Sequence, residues 1–228
     1  PERPEKYRIV HDGTISGPNL RIAANMWVRG QCPRTHDLAH TVTVEMHEVP
    51  PEWMGLCVID AQSAHKRIRI RKKDWRYQAA KFEAPDGRWR CVLNLTGTYG
   101  MGSAQFWLGR LMPQLQRIAM HMGLAKWALL YVDDLLALFK ILSLMDLWQQ
   151  AAELLMFLLL VGLPISWKKC LVGLQAAWIG HDLRLHTLRV RPTIPKTEKC
   201  LLFLGRICAA ERIDLKALEQ GVGLVRFV

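Results

Sequence analysis

KWALLYVDDLLALFK, residues 126–140, places thirteen residues between two lysines, and of these only Asp133 and Asp134 carry charge. The flanks LLYV and LLALF have the branched and aromatic character of buried strand. A tight hairpin would be better served by Asn-Gly or Asp-Gly, which tolerate positive φ. Adjacent carboxylates also repel unless a cation lies beside them. Two readings follow. The pair is a polar hairpin tip facing water, or it is a divalent-metal site whose hard oxygens suit Mg²⁺ or Mn²⁺.

Upstream, WMGLCVID from Trp53 reads as a buried strand closed by a lone carboxylate, Asp60. A charge at the end of an apolar strand is either a turn initiator or a group mounted on rigid scaffold. Next comes HKRIRIRKKDWR, in which Arg67, Arg69 and Arg71 alternate with Ile68 and Ile70. That alternation predicts a strand with three guanidinium groups on one face, suited to phosphates without reading base sequence. Asp86-Gly87 predicts a hairpin between KFEA and WRCVLNL. TGTYGMGS then leads into an amphipathic helix over 103–122, and Pro113 is expected to kink it.

Downstream, Ser143 followed by Asp146 resembles a capping box. The helix it opens is expected to bury Leu147, Trp148, Ala151, Leu154 and Leu155 and to stop at Gly162. LPISWKKC supplies Lys168 and Lys169 in a loop or short strand, AAWIGHDLRL and HTLRVRP read as a hairpin, and a helix is expected over 194–212. Residues 1–52 show no sustained periodicity; Arg21, Arg29 and Arg34 there are candidate phosphate contacts.

The 228 residues are half hydrophobic, enough for a sizeable core, and a net charge of +11 points to a polyanionic partner. Six scattered cysteines without a CxxC pair argue against a zinc ribbon or a disulfide scaffold and fit a reducing, intracellular location. Cys32, His36 and His40 could share a helical face, but no second cluster completes a metal site. The apolar run from Leu154 is too short to span a bilayer, so no membrane association is expected. The chain lacks an initiator Met and ends abruptly, which suggests a piece of a larger polyprotein.

Taken in order, these features resemble the palm of a reverse transcriptase, among the retrotransposon polymerases of Ty3/gypsy and DIRS-like kinds. The resemblance covers roughly residues 53–200. Asp60 with Ala64 and His65 resembles the first catalytic motif, and Tyr99-Gly100-Met101 with Ser103, Ala104 and Phe106 the nucleotide-pocket motif. Tyr131-Val132-Asp133-Asp134 matches the YxDD signature, Gly162-Leu163 with Lys169-Cys170 resembles the fourth motif, and Trp178-Ile179-Gly180 resembles the primer grip. The chain departs from the pattern at His65, where Tyr or Phe is usual, and at Gln105, where proline is common. RIAANMWVRG is similar to a fingers segment, with Asn25 and Trp27 replacing its acidic and basic residues.

The resemblance implies an α+β fold: an antiparallel palm sheet backed by helices over 53–192, partial fingers over 1–52 and the start of a thumb over 193–228. It implies an RNA-directed DNA polymerase working by two-metal nucleotidyl transfer with Mg²⁺, or Mn²⁺ in its place. Asp60 and Asp133 would bridge the ions and Asp134 would complete the site. Lys169 would neutralise or protonate the leaving group, with Lys168 its rival. His65, Tyr99 and Gly100 would line the pocket for deoxynucleoside triphosphates. Trp178, Ile179 and Gly180 would position the primer end of an RNA or DNA template–primer, and Arg67, Arg69 and Arg71 would track the template backbone. Two other readings are a degenerate retroelement relic that binds nucleic acid without polymerising, and an RNA-templated RNA polymerase. A generic basic nucleic-acid binder is weaker, because it would not need Asp60.

Overall fold

A computed structural model describes residues 32–98, 100–210 and 212–225, together with Asn19. Arg21, Asn25, Trp27, Arg29 and Tyr99 lie outside the described residues. The chain divides into two compact units, one of Pro1–Gln31 with Gln62–Gln114 and one of Cys32–Ala61 with Leu115–Val228.

The second unit is built on a four-stranded antiparallel sheet. Its strands are β1 (Met54–Asp60), β4 (Trp127–Tyr131), β5 (Asp134–Lys140) and β6 (Leu171–Gly173), in the order β4-β5-β1-β6. All seven residues of β1 are buried, as is Leu135–Phe139 of β5, so the two central strands read as continuous apolar runs because both faces are covered. On one face Leu56, Val58, Leu136 and Leu138 pack with Leu38, Val42, Met46 and Val49. Those four come from α1 (Thr35–His40), the π-helical turn Thr41–Glu45 that prolongs it, and the loop beyond. Sequence periodicity missed this segment, because a six-residue helix passing into a wider turn never completes a regular 3.6-residue stripe.

On the other face lies α3 (Leu144–Leu160), which buries Leu147, Ala151, Leu154 and Leu158. Trp148 was expected on that face but is 59% exposed. It sits one residue, about 100° of helix, away from the 147/151/154/158 stripe. Gly55 is what lets α3 approach: a Cβ there would lie 2.6 Å from Leu147 Cδ1. Ser143 caps the helix by accepting from the Asp146 backbone N–H at 3.1 Å. The Asp146 carboxylate accepts in return from the N–H of Leu142, at 2.9 Å, rather than from Ser143 itself.

A second sheet of three strands follows: β7 (Gln175–Trp178), β8 (His181–Arg184) and β9 (Arg189–Pro192). It contributes Trp178 and Leu183, and the turn after β8 contributes Leu185, to the same core as Leu56 and Leu138. Helices α4 (Ile194–Ala209) and α5 (Leu215–Val225) close the chain. The two helices pack on each other, with the Phe203 ring lying directly on Gly221, where any Cβ would collide with it.

In the first unit, β2 (Ala79–Glu83) and β3 (Trp89–Leu93) form the expected hairpin, with Gly87 at φ +74° in the turn. Helix α2 (Gly102–His121) runs continuously through Pro113 and passes from the first unit into the second. The basic stretch departs from expectation. Ala64–Arg67 and Lys72–Gln78 are 3₁₀ turns, and Arg69 makes only an isolated bridge to Thr96. Alternation survives as exposure, with Arg67, Arg69 and Arg71 out and Ile68 and Ile70 half-buried, but no neighbouring strand pairs along its length. Without a ladder partner an alternating segment does not become a strand. Among the described residues no helix is long and apolar enough to cross a membrane.

Candidate active site

Asp60 and Asp134 face each other. They are the last register pair of β1 and β5, and Tyr131 pairs with Asp134 across β4 and β5, so Val132 and Asp133 alone form the turn. Cross-strand partners have Cβ atoms about 4.5–5.5 Å apart, and like charges placed so are destabilising. The Ala61 N–H donates to the Asp133 carbonyl at 3.1 Å, which ties the hairpin tip to the end of β1. Asp60 and Asp134 are thus mounted on rigid strands at one end of the sheet, with Asp133 in the turn beside them.

The turn itself is strained. Val132 has φ +59° while Asp133 does not enter the positive-φ region, a II′-like pattern that ordinarily takes glycine first. A β-branched residue held there costs about 1–3 kcal/mol. The fully paired strands on either side enforce it.

Lys169 supplies the countercharge. Its Nζ lies 2.9 Å from Asp60 Oδ2, with the Asp60 side chain 12% exposed and that of Lys169 60%. The placement is set by backbone: Ile165 bridges to Ala61, the Ser166 N–H donates to the Asp60 carbonyl at 2.9 Å, and Trp167–Lys169 is a 3₁₀ turn. The hydrogen bond to Asp60 raises the Lys169 ammonium above its ordinary value. Burial, and after it the charges of Asp133 and Asp60, push the Asp134 carboxyl up to about 6.

A carboxyl raised on folding favours the fold at low pH, and that contribution is lost as pH rises through the folded value. Asp134→Asn should therefore raise the thermal midpoint at pH 7–8, and the gain should vanish below about pH 4. The full displacement from 3.8 to about 6 corresponds to roughly 3 kcal/mol. Solvent reaching this half-buried group reduces the expected gain to about 1 kcal/mol. Thermal melts of both proteins between pH 4 and 8 check the sign and the window.

Trp178-Ile179-Gly180-His181 forms the turn between β7 and β8, with Trp178 paired to His181. Ile179 at φ +42° and Gly180 at φ +83° give both central residues positive φ, the I′ pattern. Trp178 is 2% exposed and belongs to the core, so it holds the turn from beneath. Lys196 lies over the turn: a Cβ on Gly180 would stand 2.9 Å from Lys196 Cδ. Burial lowers the Lys196 ammonium below its ordinary value. A cavity of about 460 Å³ opens here, lined by Tyr131, Asp134, Ile179, Lys196, Gln220 and Leu224. Lys196, Gln220 and Leu224 carried no sequence motif; only the fold brings them beside Asp134.

In the first unit, Gly100 has φ +87°, and its carbonyl accepts from Asn19 Nδ2 at 2.7 Å. Asn19 Oδ1 accepts in turn from the Gly102 N–H at 2.9 Å, so one side chain clamps the glycine turn that opens α2. Nothing in the sequence singled out Asn19, which acts over 81 residues of separation. His65 is buried, and Gly97 approaches its carbonyl so closely that a Cβ there would lie 2.5 Å away. Arg67, Arg69 and Arg71 are exposed. So is most of the β2–β3 ribbon, where Lys81 Nζ sits 4.5 Å over the Trp89 ring, and just before it Arg76 lies 4.8 Å over Tyr77.

The fold is α+β and palm-like: an antiparallel sheet backed by helices, with an acidic hairpin at the sheet end. Solved structures share it. Two foamy viral protease–reverse transcriptase structures, one with an RNA/DNA hybrid and one with double-stranded DNA, match at TM-scores of 0.59 and 0.61 with 15% and 16% identity. They cover 88% and 99% of this chain and 24% and 34% of theirs. An apo telomerase from Candida tropicalis matches at 0.53 and 11% identity, covering 72% of this chain and 41% of its own. The chain thus spans a quarter to two-fifths of the length of these neighbours, and it has a reverse-transcriptase-like fold. No protein-family model and no curated protein sequence matches it.

Proposed function

We propose that this chain carries the palm of an RNA-directed DNA polymerase of a retroelement, extending a primer on an RNA or DNA template from deoxynucleoside triphosphates. The observation that supports it best is the facing pair Asp60 and Asp134 at the sheet end, with Asp133 at the adjoining hairpin tip and Lys169 ion-paired to Asp60. A Ty3/gypsy or DIRS-like origin and a polyprotein context rest on the order of sequence motifs.

Hard carboxylate oxygens fit Mg²⁺ or Mn²⁺ by chemistry. Among the described residues, however, no group of three or more His, Cys, Asp or Glu stands ready to hold an ion. Asp60 Oδ2 is instead ion-paired to Lys169 at 2.9 Å. Asp60, Asp133 and Asp134 would hold two ions once Lys169 yields, and the ions would supply activation of the primer hydroxyl and stabilisation of the triphosphate. Lys169, released from Asp60, would be placed to neutralise developing charge. The same observation favours a second reading, a relic in which Lys169 replaces metal permanently and nucleic-acid binding alone persists.

Primer extension on an RNA template, with deoxynucleotides beside ribonucleotides and with or without a chelator, separates these. Metal-dependent extension with deoxynucleotides supports the proposal, and extension with ribonucleotides alone would assign an RNA polymerase. Binding without any extension would leave the relic.

Nucleic-acid binding itself is supported by charge. Residues 66–90 carry ten Lys and Arg against three Asp and Glu. Exposed Tyr77, Phe82 and Trp89 interleave with them, a combination of phosphate contact and stacking platform. Replacing Arg67, Arg69 and Arg71 together by Ala should lower the slope of log affinity against log salt by about 2 on single-stranded nucleic acid. The loss should be uniform across base sequences, and fluorescence anisotropy titrations at several salt concentrations measure both.

A further inference from the structure

Beneath the carboxylate site lies a pair of thiols that the chemistry above does not use. Cys57 sits in the middle of β1, fully buried, three residues before Asp60. Cys170 directly follows Lys169 and is half-exposed. The register pairs Cys57 with Val172, so Cys170 is the diagonal neighbour, two residues along the partner segment and directed to the same face. The two thiols are close enough for each to shift the other's ionisation, and all six cysteines are free thiols. We propose that Cys57 and Cys170 are a reversible oxidation site for hydroperoxides, closing to a disulfide that ties β1 to the segment carrying Lys169.

The chemistry has an attacking and a resolving partner. Cys170 is the accessible sulfur, and the neighbouring Cys57 thiol stabilises its thiolate, bringing Cys170 down to about 7. The Cys170 thiolate attacks the peroxide; an S–O bond forms, the O–O bond breaks, and water or an alcohol leaves once protonated. The Cys57 sulfur then attacks the sulfenic sulfur. The S–S bond forms, the S–O bond breaks, and the departing hydroxide takes the Cys57 proton as water. Two thiols lose two electrons in all, and one hydroperoxide is reduced.

Placement gives the bridge a consequence. The turn that aims Lys169 at Asp60 is fastened to β1 by backbone bonds at Ala61 and Ser166; a bridge at Cys57 would fasten it from the other side of Lys169. Oxidation would therefore add a covalent tie to a segment that backbone pairing already fastens to β1, and thiol reductants would remove that tie.

The test uses the 228-residue chain with Cys32, Cys91 and Cys208 replaced by Ser, which removes the exposed thiols that would cross-link chains. It is treated with hydrogen peroxide, alkylated, digested and weighed. A peptide linking Cys57 to Cys170 is expected, about 2 Da lighter than its two thiol halves and lost on reduction. The oxidised form should also melt higher than the reduced form, and Cys170→Ser should leave Cys57 a thiol under the same treatment. Cys170 gaining about 32 Da as a sulfinic acid while Cys57 stays reduced would overturn the proposal. So would a bridge that lowers the melting midpoint, because the segment would then be distorted and not held.

Discussion

Asp60→Asn is expected to lower primer extension by about 10³-fold or more while leaving the fold as stable as before or slightly more so. The two effects have opposite origins at one residue. If Asp60 bridges two ions, an amide in its place removes a full ligand charge from both, and the metal contribution to the transition state is worth several kcal/mol. For folding, the same charge is a liability. It stands directly across the strand pair from Asp134 and helps to raise the Asp134 carboxyl. The Lys169 ammonium it leaves behind is 60% exposed and can return to water at little cost. Asn is nearly isosteric, so β1 keeps its shape. Extension assays beside urea titrations read the two separately. Activity within tenfold of wild type would show that the carboxylates at the sheet end do not hold catalytic metal, and a drop in both activity and stability would make Asp60 chiefly a structural partner of Lys169.

What the sequence disclosed and what it hid divide along physical lines. The acidic hairpin was legible because thirteen residues with one charged pair leave few alternatives to two buried strands and a turn. The turn, however, falls one residue earlier than the carboxylate pair, at Val132 and Asp133, and puts Asp134 into β5. Asp60 was legible as the end of an uninterrupted apolar run, but a strand buried on both faces does not by its pattern select the register that sets it opposite Asp134. The basic stretch misled. Arg-Ile alternation specifies which side chains face water, but strand formation also needs a pairing partner, and Arg69 found only a single bridge to Thr96. Contacts between distant segments left no local trace: Asn19 on the Gly100 turn, Lys196 on Gly180 and Ser166 on the Asp60 carbonyl. Each joins a backbone group to a residue far away in sequence, and single-chain periodicity carries no such information. Trp148 shows a smaller limit, since a helix this apolar all round can be rotated by one residue without offending its pattern.

Trp178 carries the other large expected effect, and its sign separates core from contact. A tryptophan at a primer-positioning turn invites the expectation that its ring touches nucleic acid. Here it is buried among Leu56, Val58, Leu138 and Leu183, leaving Ile179 and Gly180 to shape the turn above it. Trp178→Ala should therefore cost about 3–5 kcal/mol of stability by opening a cavity under both sheets. Trp178→Phe should cost about 1 kcal/mol or less. Its smaller ring gives up some packing, but it also removes the Nε1–H, which is buried without a hydrogen-bond partner among the described residues, and such an orphan is itself a penalty of about 1–3 kcal/mol. Urea unfolding of the two variants gives the stabilities, and anisotropy with a primer–template duplex gives the affinities. The Phe variant should bind as the wild type does, because nothing it lacks reaches the surface. If it folds normally yet binds tenfold more weakly, the indole must swing out to meet the primer, and the turn would then be a mobile clamp instead of a rigid step on which Ile179 and Gly180 stand.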